Sequence, residues 1–83
     1  MPFTIEWSDE AKAAFRRSGP MDIIATRKLI GSFRHDHWLR GRPVSGPASP
    51  GTELMELRNG PIRLLYELNR DEEIVLIKAI SQR

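Results

Sequence analysis

The dipeptide Asn59-Gly60 lies between two strand-length runs, Glu53 to Arg58 and Pro61 to Asn69, whose apolar residues fall largely at alternate positions. Asn-Gly in that setting is the strongest short-range hairpin signal, because a two-residue turn with positive φ at both positions matches the twist of the strands it joins. With Asn59 and Gly60 as the loop, Leu57 faces Ile62, Met55 faces Leu64 and Glu53 faces Tyr66 on one side of the sheet. On the other side Glu56 lies opposite Arg63, and Leu54 opposite Leu65. A second tight turn near Arg70-Asp71 leads into Ile74 to Ile80, setting Val75 and Ile77 beside Tyr66 and Leu64, and Lys78 beside Arg63. The last part of the sequence is therefore a three-strand antiparallel meander.

Ahead of it, Phe3, Ile5 and Trp7 alternate with Thr4, Glu6 and Ser8, the period of a half-buried strand. Ser8 is placed to cap a helix with Asp9 and Glu10 in its first turn and Ala11, Ala14 and Phe15 on one face. Ser18-Gly19-Pro20 ends that helix. From about Met21 a second helix carries the stripe Ile23, Thr26, Ile30 and Phe33, with Leu29 beside it and Arg27, Lys28 and Arg34 on the far side. Between Gly41 and Gly51 stand three glycines and three prolines, which reads as an ordered loop without periodic structure.

Helices in one block and strands in another define an α+β class. The expected order is β-α-α-β-β-β, with a mostly antiparallel four-stranded sheet packed against a helical hairpin. The covered face is Met55, Leu57, Ile62, Leu64, Val75 and Ile77. The open face presents Glu56, Arg63 and Lys78 in one row, with Leu54, Leu65 and Leu76 behind them.

Eighty-three residues suffice for one core, so residues 1–83 are read as a single domain. The absence of cysteine removes disulfides, thiolate metal sites and thiol nucleophiles, and fits a reducing cytoplasm. The opening MPFTIEWSDE has acids where a secretory signal needs basic and then apolar residues, and no apolar run is long enough to span a membrane. Ten of the thirteen basic residues are arginine, the side chain suited to forked contacts with phosphate or carboxylate. Such a surface suits an RNA or an acidic protein partner.

The segments FTIEWSDEAKAAF, GRPVSG, ELMELRNGPIRLLYELN and EEIVLIKAISQR together resemble the RelE/ParE superfamily of bacterial toxins from type II toxin–antitoxin systems. They look like that family's strand-helix opening, its KPL-x-G loop, its G-x-x-ELR-x-G-x-YRVIY hairpin and its final strand ending in G-H/K-R, over nearly the whole chain. The resemblance implies a compact toxin silenced by a cognate antitoxin. In one branch the toxin cleaves ribosome-bound mRNA; in the other it poisons DNA gyrase. Arg63 and Arg83 match the arginines that the ribonuclease branch uses on phosphate. The paired lysines of that branch fall at Leu54 and Glu56, its terminal tyrosine has no counterpart, and Gln82 stands where relatives carry histidine.

Cleavage by 2′-hydroxyl attack needs a proton acceptor, phosphate-stabilising groups and a proton donor. Arginine supplies the second alone, because it does not deprotonate. Glu56 is the expected base, as against a plain cross-strand partner of Arg63. The leading reading is thus a toxin acting as an mRNA endoribonuclease through Arg63, Arg83 and Glu56, with a gyrase poison or a decayed, antitoxin-binding member as alternatives. No cofactor is expected. No metal is expected either, since His35 and His37 are two residues apart rather than four. Trp7 and Trp38 read as core or loop anchors, and the glycines of GRPVSGPASPG lack the setting of a phosphate loop.

Overall fold

The computed structural model describes residues 3–32 and 41–82. Strand β1 (Thr4–Trp7) runs into helix α1 (Asp9–Arg17), and a short break leads to helix α2 (Pro20–Ser32). Strands β2 (Arg42–Pro43), β3 (Glu53–Asn59), β4 (Ile62–Asn69) and β5 (Ile74–Gln82) follow. They form one sheet in the order β1-β5-β4-β3-β2, with β1 parallel to β5 and every other neighbour antiparallel. Helix α1 packs on β5, and α2 on β3 and β4. The α+β class and the helical pair on one sheet face agree with the sequence reading. The sheet has five strands rather than four, because Arg42–Pro43, inside the stretch read as loop, pairs with Met55 and Glu56. A proline is tolerated there because β2 is an edge, where one side of the backbone needs no ladder bond.

Local chemistry explains the element ends. The Ser8 hydroxyl accepts from the Ala11 N–H at 3.1 Å, capping α1, and donates to the Lys78 carbonyl at 2.9 Å. One side chain thus starts the helix and fastens it to β5. Asp9 and Glu10 in the first turn and Arg16 and Arg17 in the last complement the helix dipole. Pro20 opens α2 at the position where its missing N–H has no cost.

The hairpin register differs from the expected one by two residues. Asn59 pairs with Ile62, Arg58 with Arg63, Leu57 with Leu64, Glu56 with Leu65 and Met55 with Tyr66. The loop is therefore Gly60-Pro61, not Asn59-Gly60. A loop at Asn59-Gly60 would make Pro61 the closing strand residue, which must donate an N–H that proline lacks. Placing Gly60 at the first loop position, with φ of 60°, and Pro61 at the second removes the conflict. The next turn spans four residues, Arg70 to Glu73, rather than two, with the Glu72 N–H bonded to Asn69 Oδ1 at 2.9 Å. It places Val75 beside Leu68 and Ile77 beside Tyr66. A bulge between Leu65 and Tyr66 then sets Ser81, not Lys78, beside Arg63.

Because both shifts are even, the same side chains remain inward. Ile62, Leu64, Tyr66, Leu68, Val75 and Ile77 have no solvent exposure, Met55 is buried, and Leu57 packs at the margin. The bulge reverses the alternation once, so Ile80 joins the core. In α2 the deepest residues are Thr26 and Leu29, with Ala25 and Ile30 packed alongside, while Met21 and Ile24 are exposed. Of the expected stripe, Phe33 lies outside the described residues.

Thr26 Oγ1 is buried and has no hydrogen-bond partner among the described residues. A buried hydroxyl left unpaired is destabilising, and valine keeps the shape without it. Thr26→Val should raise the unfolding free energy by about 1 kcal/mol, read as a higher urea midpoint at unchanged slope.

Candidate anion-binding face

The sheet face turned away from the helices gathers three arginines on one carboxylate. Arg42 of β2 pairs across the ladder with Glu56, Arg58 is two residues along β3 from it, and Arg63 of β4 lies opposite Arg58. Glu56 Oε1 accepts from Arg42 Nη2 at 3.0 Å and Arg58 Nε at 3.1 Å, and its Oε2 accepts from Arg63 Nε at 2.5 Å. Arg58 and Arg63 face each other directly, an arrangement that like charges make unfavourable. The Glu56 carboxylate, bonded to both, relieves it.

Burial distinguishes the parts. The Glu56 side chain is 4% exposed, whereas those of Arg42, Arg58 and Arg63 are 72%, 46% and 42% exposed. The carboxylate is spent on internal contacts, while each guanidinium keeps donors facing solvent. Three cations around one anion leave two positive charges uncompensated. A recess of about 400 Å³ is bounded by Arg42, Glu56, Leu57 and Arg58, and a smaller hollow by Arg58, Arg63, Pro61 and Ser81. Burial pushes the Glu56 pKa up, but the Arg63 hydrogen bond and charge, with Arg58 and Arg42, outweigh it and hold the carboxyl below 4.5. What this arrangement can do chemically is bind an oxyanion; its carboxylate has little tendency to take up a proton.

Glu56 and Arg63 are thus brought together, though diagonally rather than face to face, since Leu65 is the residue opposite Glu56. Arg83, His35, His37 and Trp38 lie outside the described residues. Lys78 is displaced from the row and bonds Glu67 instead, Nζ to Oε2 at 3.3 Å. Tyr66 is fully buried, its pKa pushed up to about 12 mainly by burial, with the Arg70 charge and the Gly41 backbone N–H acting the other way. A methyl group on Gly41 would fall 2.0 Å from the Tyr66 hydroxyl, so glycine is required where the chain enters β2. Trp7 stacks edge-on against Phe15 at 5.4 Å and packs on the core. Among the described residues no cluster of three potential ligands could hold a metal, and no helix is long and apolar enough to cross a membrane.

The sequence reading missed Arg42 and Arg58. Arg42 carries no periodic signal, and Arg58, on the same strand face as Glu56 in either register, is set opposite Arg63 only by the register that Pro61 imposes.

The two-layer α+β fold is also that of solved structures from bacteria and an archaeon. A RelBE toxin–antitoxin complex from Mycobacterium tuberculosis matches with TM-score 0.82 and 23% identity over the whole of both chains. An archaeal RelE–RelB complex from Pyrococcus horikoshii matches with TM-score 0.75 and 12% identity, over all of this chain and 97% of that one. A variant of the E. coli toxin RelE bound to an antitoxin RelB peptide matches with TM-score 0.71 and 16% identity, over all of this chain and 85% of that one. No protein-family model and no curated protein sequence matches the chain. The chain has the fold of RelE toxins.

Glu67, also buried, is lowered as well: burial raises its pKa, and hydrogen bonds from Ser49 and Lys78, with the Lys78 charge, outweigh that. For both carboxyls the folded pKa is below the unfolded one. Their stabilisation is therefore present above about 4.5 and lost as pH falls through the folded values. Glu56→Gln should be less stable than the parent near neutral pH, and the difference should shrink on acidification below that point, followed by urea midpoints across pH.

Proposed function

We propose that this chain is the toxin of a type II toxin–antitoxin pair and acts on ribosome-bound mRNA in the cytoplasm. The observation that carries the reading is the cluster of Arg42, Arg58 and Arg63 on the open face of a RelE-type fold, with solvent-facing guanidinium donors held in place by a buried carboxylate. Such a cluster recognises phosphate through forked, charge-assisted hydrogen bonds. Arg63 is assigned the scissile phosphate, with Arg83 as a second phosphate ligand. Glu56 acts on the guanidiniums rather than on the substrate: it fixes their spacing and offsets their mutual repulsion.

A second reading is favoured by the lowered pKa of Glu56. A base for 2′-hydroxyl attack works best with a pKa near the operating pH, and this carboxyl is far from it. A toxin that grips its target without cutting RNA, directed at DNA gyrase or retained for antitoxin binding, needs no such group. The two readings separate in one experiment, in which purified protein is added to ribosomes carrying mRNA and, in parallel, to gyrase and DNA. Truncated mRNA supports the first; intact mRNA together with gyrase trapped on cut DNA supports the second.

The cognate antitoxin is expected to place an acidic segment across the same arginines, because the cluster is an unneutralised cationic surface in the free protein. Induced expression should arrest growth, and co-expression of the partner should restore it. Arg63→Ala should abolish the arrest while the protein stays folded, since Arg42 and Arg58 still bond Glu56. Glu56→Gln should retain at least part of the arrest. Full loss with Glu56→Gln in a folded protein, together with ribosome binding at parental strength, would restore Glu56 as a base.

A further inference from the structure

Beside the arginine cluster the open face carries a second built feature. Glu67, 3% exposed in its side chain, is fully engaged. Its Oε1 accepts from the Ser49 N–H at 3.4 Å and lies 3.3 Å from the Thr52 hydroxyl, whose nearer acceptor is the Ser49 carbonyl at 2.7 Å, and its Oε2 pairs with Lys78. These bonds pin the loop before β3 onto the sheet. They also hold Lys78, the residue at the bulge, with its side chain 41% exposed. Between loop and sheet lies an open slot of about 400 Å³, with Leu54 and Leu65 as floor, Ala48 and Ser49 as one wall, and Glu67 and Lys78 at its end. Its lining is mainly apolar, unlike the polar recess at Arg42 and Arg58.

Position decides what this slot is for. Leu54 is paired with Glu67, and Glu56 with Leu65, so the slot sits two residues along the strands from the arginine cluster, about 7 Å away. A cationic cluster, an apolar slot and then a further ammonium repeat the pattern of a single-stranded nucleic acid, in which phosphates alternate with flat apolar bases. Resting on the reading that the arginines hold an RNA phosphate, we infer that the slot over Leu54 and Leu65 is a nucleobase subsite, which seats the base of the nucleotide next to that phosphate while Lys78 contacts the following one. Apolar contact with a base face is tolerant of sequence, so the subsite contributes affinity and register more than base identity.

The test uses two short single-stranded RNA oligomers of equal length, one normal and one with an abasic nucleotide in the middle, and measures their affinity for the whole chain by fluorescence anisotropy. The parent should bind the normal oligomer about tenfold more tightly than the abasic one. Ala48→Trp, which fills the slot from its wall, should erase that difference, and Lys78→Met should weaken both oligomers and reduce the salt dependence. Arg63→Ala should weaken both oligomers and preserve the ratio between them. Equal binding of the two oligomers by the parent overturns the subsite while leaving the RNA reading intact. Failure of the parent to bind either oligomer, alone or on ribosomes, overturns the RNA reading itself. An acidic apolar peptide that binds the parent, is excluded by Ala48→Trp, and leaves the normal-to-abasic ratio at one would assign the slot to a protein partner instead.

Discussion

Proline has no N–H to donate, and at position 61 that fact sets the register of the antiparallel half of the sheet. With Gly60-Pro61 as the loop, Arg58 is opposite Arg63 and Glu56 is opposite Leu65. Had the turn closed one residue earlier, Glu56 would have met Arg63 as a simple cross-strand pair and Arg58 would have stood at the turn. The two-residue displacement instead sets two arginines against each other and makes a nearby carboxylate necessary. The cross-strand pairing on the open face, though not the choice of side chains there, is therefore a consequence of turn chemistry at the far end of the hairpin.

Holding Glu56 as a buried anion is costly in desolvation, and charged neighbours offset this only when their geometry is good. Here the offset comes from three separate strands, so the guanidiniums are already oriented before any ligand arrives. A ligand phosphate need not order three long side chains, which is the usual entropic cost of binding by arginine. The same economy applies to Lys78, held by Glu67 at the bulge. Each cation of the face has an acidic partner beneath it that is nearly inaccessible, so the surface is cationic although the whole chain has a net charge of only +2.

The inward face was legible from sequence because side-chain alternation survives any even slip: Met55, Ile62, Leu64, Val75 and Ile77 are buried under either register. The Ser8 cap and the helical pair were legible for the same reason, since each is a local signal. The fifth strand was not, because Arg42–Pro43 has two residues and no period. Nor was the bulge at Lys78, which answers to packing of Ile80 rather than to any motif. The cluster itself was half visible. Glu56 and Arg63 were found by assuming adjacency, but the contact of Arg42 with Glu56 and the placing of Arg58 opposite Arg63 depend on pairings that a periodicity argument does not resolve.

The parallel pairing of β1 with β5 has a further consequence. Thr4 is aligned with Ile74, and Ser8 bonds the carbonyl of Lys78, so the anchor of α1 is supplied by the strand made last among the five. Until Ile74–Gln82 has been synthesised, the first helix lacks the strand it packs on and β4 has only one of its two neighbours. Long-range closure of this kind slows folding and defers it to a single late step. The strands that carry the three arginines are complete before β5, but β1 and the first helix are joined to them only through that last strand.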